Sequence, residues 1–148
     1  MDLAGGAGRN TVFLLQHGWQ VKLIDISKVG ISLAEAKAKE LSATARLTTE
    51  IADLNAVTDL GTNCYDLITV FFFLRRELFP VLIRALKPGG FLIYKTYTID
   101  RANVAGGPGD AKYLLQPNEL LREFSTLRVL HYHESLAGKS AASLVARK

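Results

Sequence analysis

The stretch Asp2-Leu3-Ala4-Gly5-Gly6-Ala7-Gly8-Arg9-Asn10 sets the frame for everything that follows it. Asp2 to Ala4 reads as the tail of a strand. Arg9 to His17, with Val12, Phe13, Leu14 and Leu15, predicts a short helix that Gly18 can end in a left-handed conformation. Glycines between a strand and a helix let the backbone approach a ligand closely, and the helix start offers free N–H groups. A dinucleotide fingerprint asks for a third small residue three positions after Gly8, where Thr11 stands, so it fits poorly. A P-loop ends in Gly-Lys-Ser/Thr, and Gly8 is followed by Arg9-Asn10, which excludes it. A purely structural turn stays open as the alternative.

Outward from this turn, strand-like and helix-like segments alternate. Gln20 to Ile26 is a strand rich in Val, Leu and Ile. Ile31 to Leu41, rich in Ala, Lys, Glu and Leu, predicts a helix with Ser27 or Ser32 as its cap. Ala45 to Glu50 is a third strand. Tyr65 to Phe72 is a fourth, apolar throughout as a strand covered on both faces should be. Arg76 to Leu86 reads as a helix with Pro80 in its first turns. Lys87-Pro88-Gly89-Gly90 is then a tight turn and Phe91 to Thr98 a fifth strand. Asp100 to Gln116 is irregular, and Asn118 to Phe124 is a short helix. Strands from Leu127 to Glu134 and Ala141 to Ala146 close the chain around a turn at Gly138. This alternation predicts an α/β fold, a mostly parallel sheet with helices on both faces and an antiparallel edge. With no repeat and no interior linker, a single domain over residues 1–148 is expected.

Composition narrows the function. The 148 residues are 49% hydrophobic and 22% charged, with net charge +4, the balance of an ordinary globular domain. The basic residues are scattered, with short pairs such as Arg75-Arg76, so nucleic acid is not the expected partner. Cys64 is the only cysteine. It rules out an intramolecular disulfide and a multi-Cys zinc site, and suits a reducing, cytoplasmic setting. His131 and His133 share a face of one strand but have no third ligand beyond Glu134, so no metal is expected. The N-terminus lacks the pattern of a signal peptide. The longest apolar run, Leu67 to Leu74, is too short to span a bilayer, and no membrane association is expected.

Two carboxylates sharpen the picture. Asp25 closes the second strand, where it can accept hydrogen bonds from both hydroxyls of a ribose. Asp53, beside Leu54, follows the third strand, where it can accept from an exocyclic amine. Taken singly, each could be a loop aspartate or a helix cap. At the ends of successive strands, after a glycine turn, they form a constellation suited to an adenosine ligand.

That constellation resembles the class I S-adenosylmethionine-dependent methyltransferases, and among them the small branch related to tellurite-resistance methyltransferases. The resemblance runs from Asp2 to the C-terminus. Its carriers are the glycine motif from Asp2 to Asn10, the acid segment Ile24-Asp25-Ile26-Ser27, and Ala52-Asp53-Leu54. Tyr65-Asp66-Leu67-Ile68 and Leu86-Lys87-Pro88-Gly89-Gly90 complete the set. It implies a three-layer Rossmann-like fold with strand order 3-2-1-4-5-7-6 and strand 7 antiparallel. The cofactor it implies is S-adenosylmethionine, with S-adenosylhomocysteine as product. The implied binding residues are Asp2, Ala4, Gly6, Gly8, Asn10, Asp25, Ile26, Asp53, Leu54 and Phe71.

Departures from the family pattern carry expectations of their own. Members usually have a full first strand and a helical segment before it, whereas Met1 directly precedes the motif acid. The first strand is therefore expected to be truncated, with a loss of packing, a partly uncovered cleft and a flank that a homodimer would cover. A cysteine often stands where Gly5 does, a change expected to be tolerated. Lys95 stands where close relatives tend to have an acid, which leaves no base to assign.

Methyl transfer from a sulfonium is an in-line displacement with an activated leaving group, so alignment and exclusion of water matter more than a catalytic dyad. Phe71, Phe72 and Phe73 are candidates to wall the methionine end or the acceptor pocket, with core packing as the alternative. Arg75 and Arg76 could hold an anionic acceptor but read rather as solvated helix-start arginines, and Tyr94, Lys95 and Tyr97 could reach an acceptor. Val104 to Asp110 could act as a lid or as a mobile connector, and Trp19 with the remaining aromatics reads as core. The Asn/Asp-Pro-Pro-Tyr motif of base-amine methyltransferases is missing after the fourth strand. A small-molecule acceptor is therefore expected. A cofactor-binding or scaffold protein without transfer activity is the alternative.

Overall fold

The computed structural model describes residues 1–100, 110–135 and 140–148. The turn expected at Gly138 and the loop from Val104, apart from Asp110, lie outside the described residues. Seven strands form a sheet in the order β3-β2-β1-β4-β5-β7-β6. They are β1 (Asp2–Leu3), β2 (Val21–Asp25), β3 (Leu47–Ile51), β4 (Tyr65–Phe71), β5 (Leu86–Tyr97), β6 (Arg128–Glu134) and β7 (Ala141–Arg147). The helices are α1 (Arg9–Gln16), α2 (Lys28–Glu40), α3 (Phe79–Ala85) and α4 (Glu119–Glu123). β2 pairs in parallel with β1 and β3, and β4 with β5; β7 runs antiparallel to β5 and β6. This is the expected α/β, Rossmann-like topology with a first strand of two residues. The chain divides into two compact units, Met1–Val57 and Thr58–Lys148.

In the first unit, Leu3 of the short first strand is fully buried and Met1 nearly so. Leu23 of β2 meets Ile31 and Ala34 of α2 in a buried cluster, with Leu47 against it. Between the two candidate caps the structure selects Ser27, whose Oγ accepts from the Gly30 N–H at 3.0 Å. That bond satisfies one of the orphan donors of the first turn, so α2 begins at Lys28, three residues earlier than its apolar spacing suggests. A 3₁₀ turn at Thr44–Arg46 delays β3 to Leu47. Trp19 is 41% exposed and Phe13 58%, so neither belongs to the core as expected. Phe13 instead lies against His17, one helical turn on.

In the second unit, β5 alternates. Leu92, Tyr94 and Thr96 are buried, whereas Ile93, Lys95 and Tyr97 are half-buried and Phe91 is exposed. Phe79 of α3 and Phe124 after α4 pack edge-on or tilted against Tyr94, with ring centroids 5.8 and 5.9 Å away, and lie 5.1 Å from each other. These helices thus cover one face of β5. In β4 only the middle, Ile68 to Val70, is fully buried, which corrects the expectation of a strand covered throughout. The expected turn at Lys87–Gly90 belongs to β5. Leu86 pairs with Tyr65, and Gly89 and Gly90 exchange backbone hydrogen bonds with Lys148. The expected helix from Arg76 splits into a 3₁₀ turn (Arg76–Leu78) and α3, with Pro80 at the start of α3, where no N–H is needed.

Arg76 is not the solvated arginine expected. Its guanidinium donates to both Glu119 carboxylate oxygens at 2.6 and 2.9 Å, and to the carbonyls of Lys112 and Leu114 at 2.9 Å each. Glu119 is only 4% exposed and also accepts from the Gln116 N–H at 2.7 Å. Burial alone would raise its pKa. The Arg76 fork and the Gln116 N–H outweigh that and hold the carboxyl below its ordinary value of 4.5. A lowered carboxylate pKa contributes stability above the unfolded-state value and loses it as pH falls through the folded one. Glu119→Gln should therefore cost about 2 kcal/mol at pH 7, allowing for the partly exposed arginine. Denaturation followed from pH 7 to pH 3 should show the cost shrinking below about pH 4.5.

Candidate functional site

The first unit gathers its polar groups at the carboxyl ends of β1, β2 and β3. Asp25, the last residue of β2, accepts from the Gly6 N–H through Oδ2 and from the Ser27 N–H through Oδ1, each at 2.8 Å. One carboxylate thus ties the glycine turn to the start of α2. A carboxylate has about four acceptor sites, so these two bonds leave capacity for two hydroxyls. Beside it, Ile26 is 64% exposed, an apolar surface next to a polar one. The Ala52 N–H donates to the Asp25 carbonyl at 3.1 Å, which brings the exit of β3 alongside that of β2. Asp53 follows there. Its Oδ1 accepts from the Asn55 backbone and side chain at 2.9 and 3.0 Å, closing a local turn. Leu54 behind it is buried.

The glycine turn shows why its residues are small. Gly6 takes a positive φ of 54°, and a Cβ added there would meet nothing within 4 Å. The turn therefore presents bare backbone to open space. At Gly8 (φ 75°), a Cβ would come 2.6 Å from the Cβ of Ala34, so α1 and α2 approach where neither residue has bulk. Gly30 of α2 repeats this against Gly6, whose carbonyl would lie 2.9 Å from an added Cβ. Neither Gly30 nor Ala34 was singled out from the sequence, although Gly30, Ala34 and Ala38 recur four residues apart on one face of α2. Gly5 fits its surroundings closely. A side chain there would meet Leu23 at 2.4 Å and the Asp2 carboxylate at 2.6 Å, so a cysteine would force both to move.

Asp2 is fully buried. Its Oδ2 accepts from the Thr11 N–H at 3.0 Å and the Thr11 hydroxyl at 2.8 Å, which joins β1 to α1 from inside. Thr11, the residue that spoiled the dinucleotide fingerprint, is thus the partner that this acid requires. Asn10 sits half-buried in the first turn of α1. Phe71 lies in the second unit, half-buried at the end of β4, with its Cα paired to Lys95. Tyr94 is buried and donates its hydroxyl to the Phe73 carbonyl at 2.8 Å, so it cannot reach an acceptor as the sequence allowed. Among the described residues, no cluster of His, Cys, Asp and Glu could hold a metal, and no helix is long and apolar enough to cross a membrane.

Ala4 carries a strain that the sequence did not reveal. It has a φ of 55°, the left-handed region that costs an L-residue roughly 1–2 kcal/mol. Its N–H is held by the Ile24 carbonyl at 2.9 Å, which fixes the turn in this shape. Ala4→Gly should therefore stabilise the fold by about 0.5 kcal/mol, the strain relieved less the chain entropy added. Gly8→Ala should destabilise it by about 2 kcal/mol, because its φ and the contact with Ala34 both oppose a side chain. Urea denaturation of the two variants should thus give shifts of opposite sign.

The chain has recognisable relatives. The sequence profile of a methyltransferase domain family matches residues 1–90. No curated protein sequence matches it. Among solved structures, TehB from Haemophilus influenzae is similar with a TM-score of 0.82 at 19% identity, over 99% of this chain and 57% of TehB. An S-adenosylmethionine-dependent methyltransferase from Mesorhizobium loti gives 0.79 at 19% identity, over 99% of this chain and 89% of that one. The cyclase SpnF gives 0.77 at 18% identity, over 99% and 73%. At such identities the structural likeness establishes the fold, and the sequence profile carries the family.

Proposed function

The chain belongs to the methyltransferase domain family, and on that premise we propose that it binds S-adenosylmethionine and transfers the methyl group to a small-molecule acceptor. We take residues 1–148 as a single cofactor-binding domain working in a reducing, cytoplasmic setting, as the lone exposed Cys64 suggests. The observation that carries the reading is the Asp25 carboxylate joined to the open backbone of Gly6. An adenosine with a charged tail needs an acceptor for two ribose hydroxyls and room for its tail against the main chain, and this pair supplies both.

The other residues take supporting parts. Ile26 offers apolar surface to the adenine ring. Asp53, whose Oδ2 has no partner among the described residues, can accept from the exocyclic amine. Ala4, Gly8 and Asn10 shape and flank the turn, and Leu54 backs Asp53. Asp2 acts from behind, holding the turn through Thr11 rather than touching the ligand. When bound, S-adenosylmethionine supplies a methyl already activated by its sulfonium charge. The chain's own task is then to hold donor and acceptor in line and keep water out. A base is needed only for an acceptor that arrives protonated.

Calorimetric titration with S-adenosylhomocysteine tests the site. Wild-type protein should bind. Asp25→Asn should weaken binding about tenfold, and Asp25→Ala, which removes both acceptor oxygens, about a hundredfold. Urea denaturation of both variants checks that the loss is local. No binding by folded wild-type protein would defeat the cofactor reading. Binding with no S-adenosylhomocysteine formed from the methyl donor across a panel of acceptors would favour a cofactor-binding protein without transfer activity.

A further inference from the structure

Phe72 ends β4 in a conformation that an aromatic residue holds only when its surroundings impose it. Its φ is 56°, in the left-handed region, where strain is stored chiefly at functional positions. Two hydrogen bonds impose it. The Phe72 N–H donates to the Lys95 carbonyl at 2.7 Å, and Tyr94 holds the Phe73 carbonyl at 2.8 Å. The ring so placed is 45% exposed and lies against Tyr97, centroids 4.9 Å apart and planes at 36°. The aromatic trio of this unit's core, Phe79, Tyr94 and Phe124, is almost wholly buried. The Phe72 ring, backed by the half-buried Tyr97, is therefore a surface plate rather than a piece of core.

Lys95 stands next to that plate. It shares a face of β5 with Tyr97, two residues and about 7 Å along the strand, and its Cα pairs with those of Phe71 and Ser143. Its side chain is half-buried, and among the described residues no carboxylate forms an ion pair with it. An ammonium with no carboxylate paired to it among the described residues is free to receive an incoming anion. The strained, exposed Phe72 ring, its half-buried neighbour Tyr97, and Lys95, which has no ion pair among the described residues, occupy one face at the carboxyl ends of β4 and β5. We propose that Phe72, Tyr97 and Lys95 form an acceptor subsite for a planar anionic molecule, an aromatic or conjugated carboxylate. Its π-system lies on the open face of the Phe72 ring, which Tyr97 backs, and its carboxylate on the Lys95 ammonium. This subsite names the acceptor class for the methyl-transfer reading above and rests on it.

The test uses the full chain and three probes: 4-hydroxybenzoate, its neutral analogue 4-hydroxybenzamide, and the non-planar cyclohexanecarboxylate. Each is titrated by calorimetry with and without saturating S-adenosylhomocysteine. 4-Hydroxybenzoate should bind tightest, about fivefold better than the amide, as expected for one partly shielded ion pair. Lys95→Met should abolish that preference. Phe72→Leu should weaken 4-hydroxybenzoate about fourfold and narrow its advantage over cyclohexanecarboxylate. Both variants should keep wild-type affinity for S-adenosylhomocysteine, which reports that they are folded. Equal binding of acid and amide, equal binding of the planar and non-planar acids, or indifference to Lys95→Met would overturn the subsite. So would failure of 4-hydroxybenzoate to bind at its solubility limit. Loss of the cofactor reading shows separately, as absence of S-adenosylhomocysteine binding by the wild-type chain.

Discussion

The carboxylate of Asp25 holds two backbone N–H groups that come from different elements, Gly6 in the turn after β1 and Ser27 at the start of α2. Each is a charge-assisted bond, stronger than a neutral one, and both originate on one rigid strand end. The turn therefore cannot drift from the second strand without freeing a charge. The Ala52 N–H on the Asp25 carbonyl extends the same anchor to the exit of β3. Three strand ends are thus brought into register by a single residue, and the proposed ligand groups depend on that register more than on any one contact.

Behind this anchor lies a packing constraint that works through absent side chains. α1 and α2 come together where Gly8 faces Ala34, and α2 reaches the turn where Gly30 faces Gly6. Close approach lets the short first strand be closed over, with Leu3 fully buried and Asp2 tied to Thr11. It also leaves little freedom to the turn itself, which explains how Ala4 is kept at a positive φ. The energy lost at Ala4 is small beside the burial that the same geometry allows.

Much of the fold was legible in the sequence because it rests on period and punctuation. The alternation of strands and helices and the glycine turn survive as expected, whereas several boundaries shift and the turn expected at Lys87–Gly90 is strand. The shifts have local causes that hydrophobic spacing does not encode, such as the Ser27 cap and the 3₁₀ turns at Thr44 and Arg76. The candidate site was legible at Asp25 and Gly6, where residue type and position agree. It was less so at Asp2, because a buried carboxylate and an exposed one look alike until the partner, Thr11, is seen. Gly30 and Ala34 were missed since small residues in a helix read as good helix formers, not as a surface cut to fit a neighbour.

The aromatics show where sequence reasoning stops, and why. An apolar residue at a strand's end reads the same whether it fills a core or faces a ligand, because period 2 identifies a face without saying what covers it. On β5 the covered face is that of Tyr94, with Phe79 and Phe124 upon it, and the half-open face is that of Lys95 and Tyr97. Phe72 joins the open face only through a positive φ, a backbone state that no run of phenylalanines announces. Of three consecutive phenylalanines, Phe71 and Phe73 are half-buried and Phe72 alone is exposed. Identical side chains carry no signal for that difference, and Phe72 is held outward at an energetic cost that core packing does not require.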